Sequence, residues 1–350
     1  MPRPAAPSER CSVPRFRVTL PLLTAVASTA LALVSAPVAS ASDPATRPAQ
    51  PISYTAEAGG VHQLTNPGQP WPGVDDWSCR PTAEHPRPVI LLHGTGANGV
   101  NNWGTVAPSL LNEGYCVFSP TYGATPLFPG IGGALRMSDH VAEMTAYLDG
   151  VLAATGAEQA DMVGHSQGVT VGMHLSKVTR PGRIGTVVSL GGFAGGTAEA
   201  GLPGLASLSP MVDLEGMAAE SSRGLPDGPL PMPFPAMLDI NEHSPTGRLL
   251  FAGGTPFDPG TRYTLIASAY DGLVPPAMSF PEGDHPGVTT HVLQDTCAQN
   301  GADHAALYAD PQTLDLMLNA LDPEAAVTPR CWPTTPILGA LGAVPPRGKA

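Results

Sequence analysis

Ser166 lies in the stretch Asp161-Met-Val-Gly-His-Ser-Gln-Gly-Val-Thr-Val-Gly-Met173, where a short apolar run meets Gly-x-Ser-x-Gly and then a segment of helical character. That order is a nucleophile elbow, a strained strand-to-helix turn that lifts one serine hydroxyl clear of a sheet edge. Gly164 and Gly168 account for the spacing, because side chains two residues either side of the serine would collide where strand and helix approach. In a chain with 40 glycines the motif is only moderately specific. Its rival is an ordinary strand-to-helix turn.

A serine nucleophile needs an imidazole to take and return its proton, a carboxylate to hold that imidazole, and donors for the oxyanion. Ser166, Asp271 and His304 follow one another in a known order for this chemistry, each just beyond a predicted strand. Asp258 precedes its strand and Asp284 sits in a long loop, whereas Asp271 stands where a strand runs into a turn; its bland alternative is a turn-capping aspartate. Among the histidines, His291 falls inside a strand, His285 precedes it, and His93 and His165 flank the oxyanion loop and the elbow. Only His304 follows the last strand. Backbone N–H groups of Thr95 and Gln167 are the expected oxyanion donors, each contributing roughly 3 to 4 kcal/mol in the transition state.

The elements that must position these groups alternate regularly. Val89 to Leu92 is a continuous apolar run suited to a strand buried on both faces. Val106, Leu110 and Leu111 recur at helical spacing with Gly114 closing the helix, and Tyr115 to Phe118 is the next strand. Ser138 is the expected cap of a long helix that buries Val141, Met144, Leu148, Val151 and Leu152. Further strands follow at Thr186–Leu190, Tyr263–Ser268 and Val288–Leu293. This order predicts an α/β fold with a mostly parallel, doubly wound sheet, helices on both faces and reactive groups at the carboxyl ends of strands. Gly94-x-Gly96-x-x-Gly99 matches a dinucleotide fingerprint, but no helix starts at once and no acidic residue closes the next strand, so no nucleotide cofactor is expected. From 195 to 262 the alternation lapses into Gly, Pro, Met and Leu, which predicts a cap-like insertion, with plain surface packing as the alternative.

The chain has 350 residues and is 13% charged, with a formal charge of −12. Arg3, Arg10, Arg15 and Arg17 precede an apolar run from Val18 to Val34, and Ala39-Ser40-Ala41 follows, so residues 1–41 read as a signal peptide rather than a membrane anchor. Its removal takes away four arginines and one glutamate and moves the charge from −12 to −15. Such a chain, with two lysines in all, is a poor partner for nucleic acid. Cys79, Cys116, Cys297 and Cys331 remain, an even number that suits two disulfides in an oxidising compartment. Three connectivities are possible; pairing 79 with 116 and 297 with 331 closes the two shortest separate loops, each stabilising by about 4 kcal/mol. No Cys-x-x-Cys or Cys-x-x-His pair supports zinc, and no metal is expected. Residues 42–85 read as an N-terminal arm anchored by Trp71 and Trp77, residues 86–331 as the catalytic domain, and 332–350 as a flexible tail.

His93-Gly-Thr-Gly, Asn102-Trp, Gly114-Tyr-Cys-Val-Phe118, Ala154-Thr-Gly, Val163-Gly-His-Ser-Gln-Gly168, Tyr263-Thr-x-Ile, Tyr270-Asp-x-x-Val-x-Pro and Asp303-His304 together resemble the secreted bacterial triacylglycerol lipases and esterases of the lipase class 2 group. The similarity runs from about Trp77 to Pro323. It implies the α/β-hydrolase fold and a cofactor-free serine hydrolase acting on carboxylic esters, lipids among them, at a lipid-water interface if the cap is mobile. An acyltransferase or polyester hydrolase would use the same triad, and a secreted binding protein on the same fold is the alternative from outside enzymes. A monomer without a transmembrane segment in the mature chain is expected. The sequence departs from the family at Val169, where relatives often carry a third glycine, and at Leu190-Gly-Gly-Phe-Ala-Gly-Gly196; both lie near the expected acyl pocket.

Overall fold

The computed structural model of the protein describes residues 47–195 and 234–348. The expected signal peptide and residues 196–233 of the expected cap lie outside the described residues. Six strands form the central sheet: β1 (Val89–Leu92), β2 (Val117–Phe118), β3 (Ala160–His165), β4 (Ile184–Leu190), β5 (Arg262–Ala267) and β6 (Val288–Val292). Their order is β2-β1-β3-β4-β5-β6, and every neighbouring pair is parallel. The chain runs outward from β1 to β2 and then crosses back to place β3 on the other side of β1. That reversal opens a crevice beyond the carboxyl ends of β1 and β3, where ligands bind in open parallel sheets.

Both faces of the sheet are covered, which is why its strands are apolar without alternation. Ile90 and Leu92 pack with Met144 and Leu148 of α3 (Met137–Thr155) and Val171 of α4 (Gln167–His174). Val89 and Leu91 point the other way, against Val106 and Leu110 of α2 (Val106–Asn112) and Leu314 and Met317 of the helix Pro311–Leu321. The long helix α3 does not begin at a Ser138 cap as its local sequence suggests. It begins one residue earlier, and the N–H of Met137 is accepted at 3.2 Å by Asp239, a residue that returns from the insertion. Arg136 is 3.6 Å from the other oxygen of that carboxylate. The cap is tertiary, so no local motif announces it.

The arm is more structured than its composition suggests. It carries helix α1 (Ala58–Thr65), and Trp71 stacks on His62 while donating from Nε1 to the Val100 carbonyl at 3.0 Å. Cys79 is joined to Cys116 and Cys297 to Cys331. The tail is likewise docked, in contrast to the flexible segment expected over 332–350. Thr334–Thr335 pairs antiparallel with Gly339–Ala340, and Ala340 N–H donates to Tyr54 O at 2.8 Å. Two buried carboxylates explain this, because an ionised group away from water must be paired. Asp315 receives Arg330 at 2.8 and 2.9 Å, and Asp310 receives the Thr334 hydroxyl at 2.6 Å and the Asn300 amide at 3.0 Å.

His174 on α4 is buried, and burial followed by the charge of Lys177 lowers its pKa from 6.5 to about 4. The unfolded chain then gains a proton near pH 6.5 that the fold accepts only near pH 4, so stability falls as pH drops through that window. His174→Gln cannot titrate, and should lose about 3 kcal/mol less stability than the parent between pH 7 and pH 4. Paired urea-unfolding series at the two pH values measure this difference; equal losses would refute the proposed burial of a neutral imidazole.

Candidate active site

The elbow is built as its spacing requires. Ser166 sits between β3 and α4 at φ 53° and ψ −124°, a left-handed conformation that costs a non-glycine residue on the order of 1 to 3 kcal/mol. A β-carbon on Gly168 would fall 2.0 Å from the Leu92 carbonyl oxygen, and one on Gly164 would fall 2.7 Å from the backbone nitrogen of Val169. The strain is held by the packing of α4 against β1 and by the Ser166 N–H, which donates to Leu190 O at 3.0 Å.

Register delivers the partners. His165, Leu190 and Ile266 lie opposite one another at the ends of β3, β4 and β5, and the ladder runs one residue further as Gly191 N–H donates to Ile266 O at 2.9 Å. Beyond β5, Asp271 directs one oxygen to the N–H groups of Leu273 and Val274, at 2.9 and 2.7 Å, and the other to His304 Nδ1 at 2.7 Å. The Asp271 side chain is fully buried and that of His304 is 11% exposed. Gly191, at φ 58°, lies against this pair: a β-carbon there would be 2.9 Å from Asp271 Oδ2 and 3.2 Å from His304 Nδ1. Ser166 has no hydrogen bond to His304 among the described residues; its backbone bond to Leu190 brings it beside Gly191 and hence beside the pair. The loop holding His304 is braced by Gln294, whose amide donates to Ser268 Oγ at 3.0 Å and to Asn300 O at 2.8 Å.

On the opposite side stands the loop after β1. The N–H groups of Gly94, Gly96 and Ala97 are taken by Asn102 Oδ1, Gly132 O and Gly94 O, at 2.9, 3.0 and 3.2 Å. Among the described residues no acceptor takes the N–H of Thr95, nor that of Gln167 at the start of α4. These two lie close together, since a β-carbon on Gly133 would be 3.1 Å from Thr95 Cα and 2.7 Å from Gln167 Oε1. Two free donors beside a strained serine suit a developing oxyanion. The loop also contacts the returning insertion, where the Thr95 hydroxyl donates to Met237 Sδ at 3.1 Å.

His93 is unsuited to proton transfer. It stacks on Tyr122 with ring centres 4.1 Å apart, its Nδ1 donates to Gly94 O at 2.9 Å, and its Nε2 accepts the Tyr122 N–H at 3.2 Å. Full burial lowers its pKa to about 4, with the Gly94 bond opposing. His285 and His291 belong to the segment around β6 and make no contact with Asp271 among the described residues, and Asp258 instead accepts from Gly260 and Thr261. Sequence reasoning did not single out Gly191, Gln294 or Asn300 for roles in the site. Gly191 alone gave a signal, as part of the unusual run from Leu190 to Gly196. Among the described residues no cluster of three or more acidic, histidine or cysteine side chains could hold a metal ion.

The parallel sheet with helices on both faces has the α/β-hydrolase fold. Residues 87–215 match the family described as the alpha/beta hydrolase fold. Sequence relatives include a triacylglycerol lipase of Pseudarthrobacter phenanthrenivorans, 30% identical over 109 residues that make up 30% of this chain and 32% of that protein. A pyrrolizixenacetamide deacetylase of Xenorhabdus hominickii is 29% identical over 105 residues, 30% of this chain and 37% of that one. The chain thus spans about a third of the length of these curated relatives. A solved lipase from Bacillus licheniformis aligns with 69% of this chain and 94% of its own, at 14% identity and a TM-score of 0.46.

The two departures from the lipase pattern are packed against each other. A β-carbon on Gly192 would fall 2.3 Å from both Cβ and Cγ2 of Val169, so the valine fills space that a side chain at 192 would need. Gly192→Ala should therefore cost at least about 2 kcal/mol by overpacking. Adding Val169→Gly should return more than half of that, giving a coupling of about 1 to 2 kcal/mol in a double-mutant cycle read by denaturant unfolding. Strictly additive losses would show that the two positions do not compensate.

Proposed function

We propose that the protein is a secreted serine hydrolase of carboxylic esters, triacylglycerols among its substrates, working through an acyl-enzyme. The observation that carries this reading is the Asp271–His304 pair, 2.7 Å apart, in a structure that also holds a strained elbow serine and leaves the N–H groups of Thr95 and Gln167 without an acceptor among the described residues. Similarity to triacylglycerol lipases over part of their length supports the substrate class. In the proposed cycle Ser166 Oγ attacks the ester carbonyl while His304 Nε2 takes its proton. Asp271, held by two backbone N–H groups, keeps the proton on His304 Nδ1 and stabilises the imidazolium. The N–H groups of Thr95 and Gln167 receive the oxyanion. Return of the proton to the leaving alkoxide gives the alcohol and an acyl-serine, and water activated by the same imidazole releases the acid.

The domain reading stands within this proposal: signal peptide 1–41, arm 42–85, catalytic domain 86–331 with a cap at 195–262, and the segment 332–350. Two cysteine pairs agree with an extracellular destination. Among the described residues no helix is long and apolar enough to cross a membrane.

Initial rates on p-nitrophenyl esters from acetate to palmitate, with an aryl acetamide added because one relative is a deacetylase, test the assignment. Ser166→Ala should lower kcat by about 10⁶-fold, and Asp271→Asn by about 10⁴-fold through the wrong tautomer. Alcohol added to the assay separates hydrolysis from acyl transfer. Retention of more than a tenth of the parent rate by Ser166→Ala would rule out this nucleophile, and failure of the parent protein to cleave any ester would favour a binding protein on the same fold.

A further inference from the structure

His165 takes no part in the proposed cycle, yet it is enclosed between the two halves of the site. Its Nε2 lies 3.0 Å from the backbone carbonyl oxygen of His304, and its Nδ1 lies 3.2 Å from Asn102 Oδ1. That same amide oxygen accepts the N–H of Gly94, the residue before Thr95, at 2.9 Å. Tyr308 meets the ring edge-on at 5.0 Å, and the His304 ring is 4.8 Å away.

Both ring nitrogens therefore face oxygen acceptors. Burial, then the proximity of the His304 and His93 rings, hold His165 well below the ordinary imidazole range, so the ring is neutral and owns one proton. It can satisfy one oxygen. Asn102 Oδ1 already has a donor in Gly94, whereas no other group among the described residues donates to the His304 carbonyl. A buried carbonyl left without a donor costs on the order of 1 to 3 kcal/mol. The proton belongs on Nε2.

We infer that His165 is a positioning residue for the general base: its Nε2–H holds the main chain of His304 to the main chain of the elbow, one residue from Ser166. Asp271 fixes the Nδ1 edge of the His304 ring, and His165 fixes the backbone from which that ring projects. With both ends held, the imidazole has little freedom to swing away from the serine. The inference rests on the hydrolase reading above, because it gives His304 the base's role.

Three variants separate this from simple packing. In Gln the side-chain amide nitrogen falls near the place of imidazole Nε2, in Asn near Nδ1, and Leu offers no donor. Active sites are first counted with a small fluorophosphonate, then kcat and KM for p-nitrophenyl butyrate are measured per labelled site, with melting temperatures alongside. His165→Leu should lower kcat per site by about 10²-fold, the scale of a displacement near 1 Å, with KM within twofold of the parent. His165→Gln should return to within fivefold of the parent, and His165→Asn should stay near the leucine variant. The proposal is overturned by a leucine variant whose kcat per site is within threefold of the parent, or by an asparagine variant that recovers as well as glutamine. Should a variant not fold, ¹⁵N-histidine spectra of the parent decide the tautomer: a protonated Nε2 supports the assignment, a protonated Nδ1 refutes it. If the parent itself takes up no phosphonate, it is the Ser166 nucleophile that fails, and the role of His165 falls with it.

Discussion

The contact on which the site depends is the approach of α4 to β1 and β3 around Ser166. The serine can hold a left-handed backbone only because the helix and strands on either side leave it nowhere else to go, and they can come that close only without side chains at 164 and 168. A carbonyl 2.0 Å from the place of a missing β-carbon is a contact that no rotamer change relieves. The strain therefore resides in the core of the domain, and the hydroxyl at its apex inherits the rigidity of two hydrophobic clusters packed on either face of the sheet.

The remaining groups are referred to that apex by hydrogen bonds that extend the sheet beyond its strands. Ser166 is bonded to the end of β4, and Gly191 to the end of β5, so the elbow serine, the glycine shelf and the Asp271 loop are staggered along the sheet edge. His304 comes from a longer excursion, which needs more support. Gln294 ties it to the end of β5, the Cys297–Cys331 link closes its base, and Asp310 gathers Asn300 and Thr334 around one carboxylate. Burial raises the pKa of Asp310, with its hydrogen bonds opposing. The docked tail thus belongs to the support of the loop that holds His304, although it contains none of the proposed reacting groups.

How much of this is legible in the sequence follows from the range of each interaction. The strands, the elbow and the candidates Asp271 and His304 are local in origin: apolar runs, glycines at fixed offsets, a polar residue after a strand. Ser138 misleads because the cap of α3 is supplied by Asp239, about a hundred residues away, and the tail misleads because its proline-rich composition says nothing of the buried Asp310 and Asp315 that need partners. Gly191 is an intermediate case. Its run of glycines is visible, but that a side chain there would strike the Asp271–His304 pair requires the register of β4 and β5.

Four imidazoles lie in and behind the site, and their surroundings differ. His93, His140 and His165 are enclosed by carbonyls, N–H groups and rings, and burial lowers the pKa of each. None of the three has a hydrogen-bonded carboxylate, whereas His304 faces Asp271 at 2.7 Å and is partly open to the crevice. Adding a proton to any of the three would place an unpaired charge in a dry interior. Burial and pairing thus set His304 apart: of the four rings it alone lies against a hydrogen-bonded carboxylate, and the other three serve as hydrogen-bonding and packing groups around it.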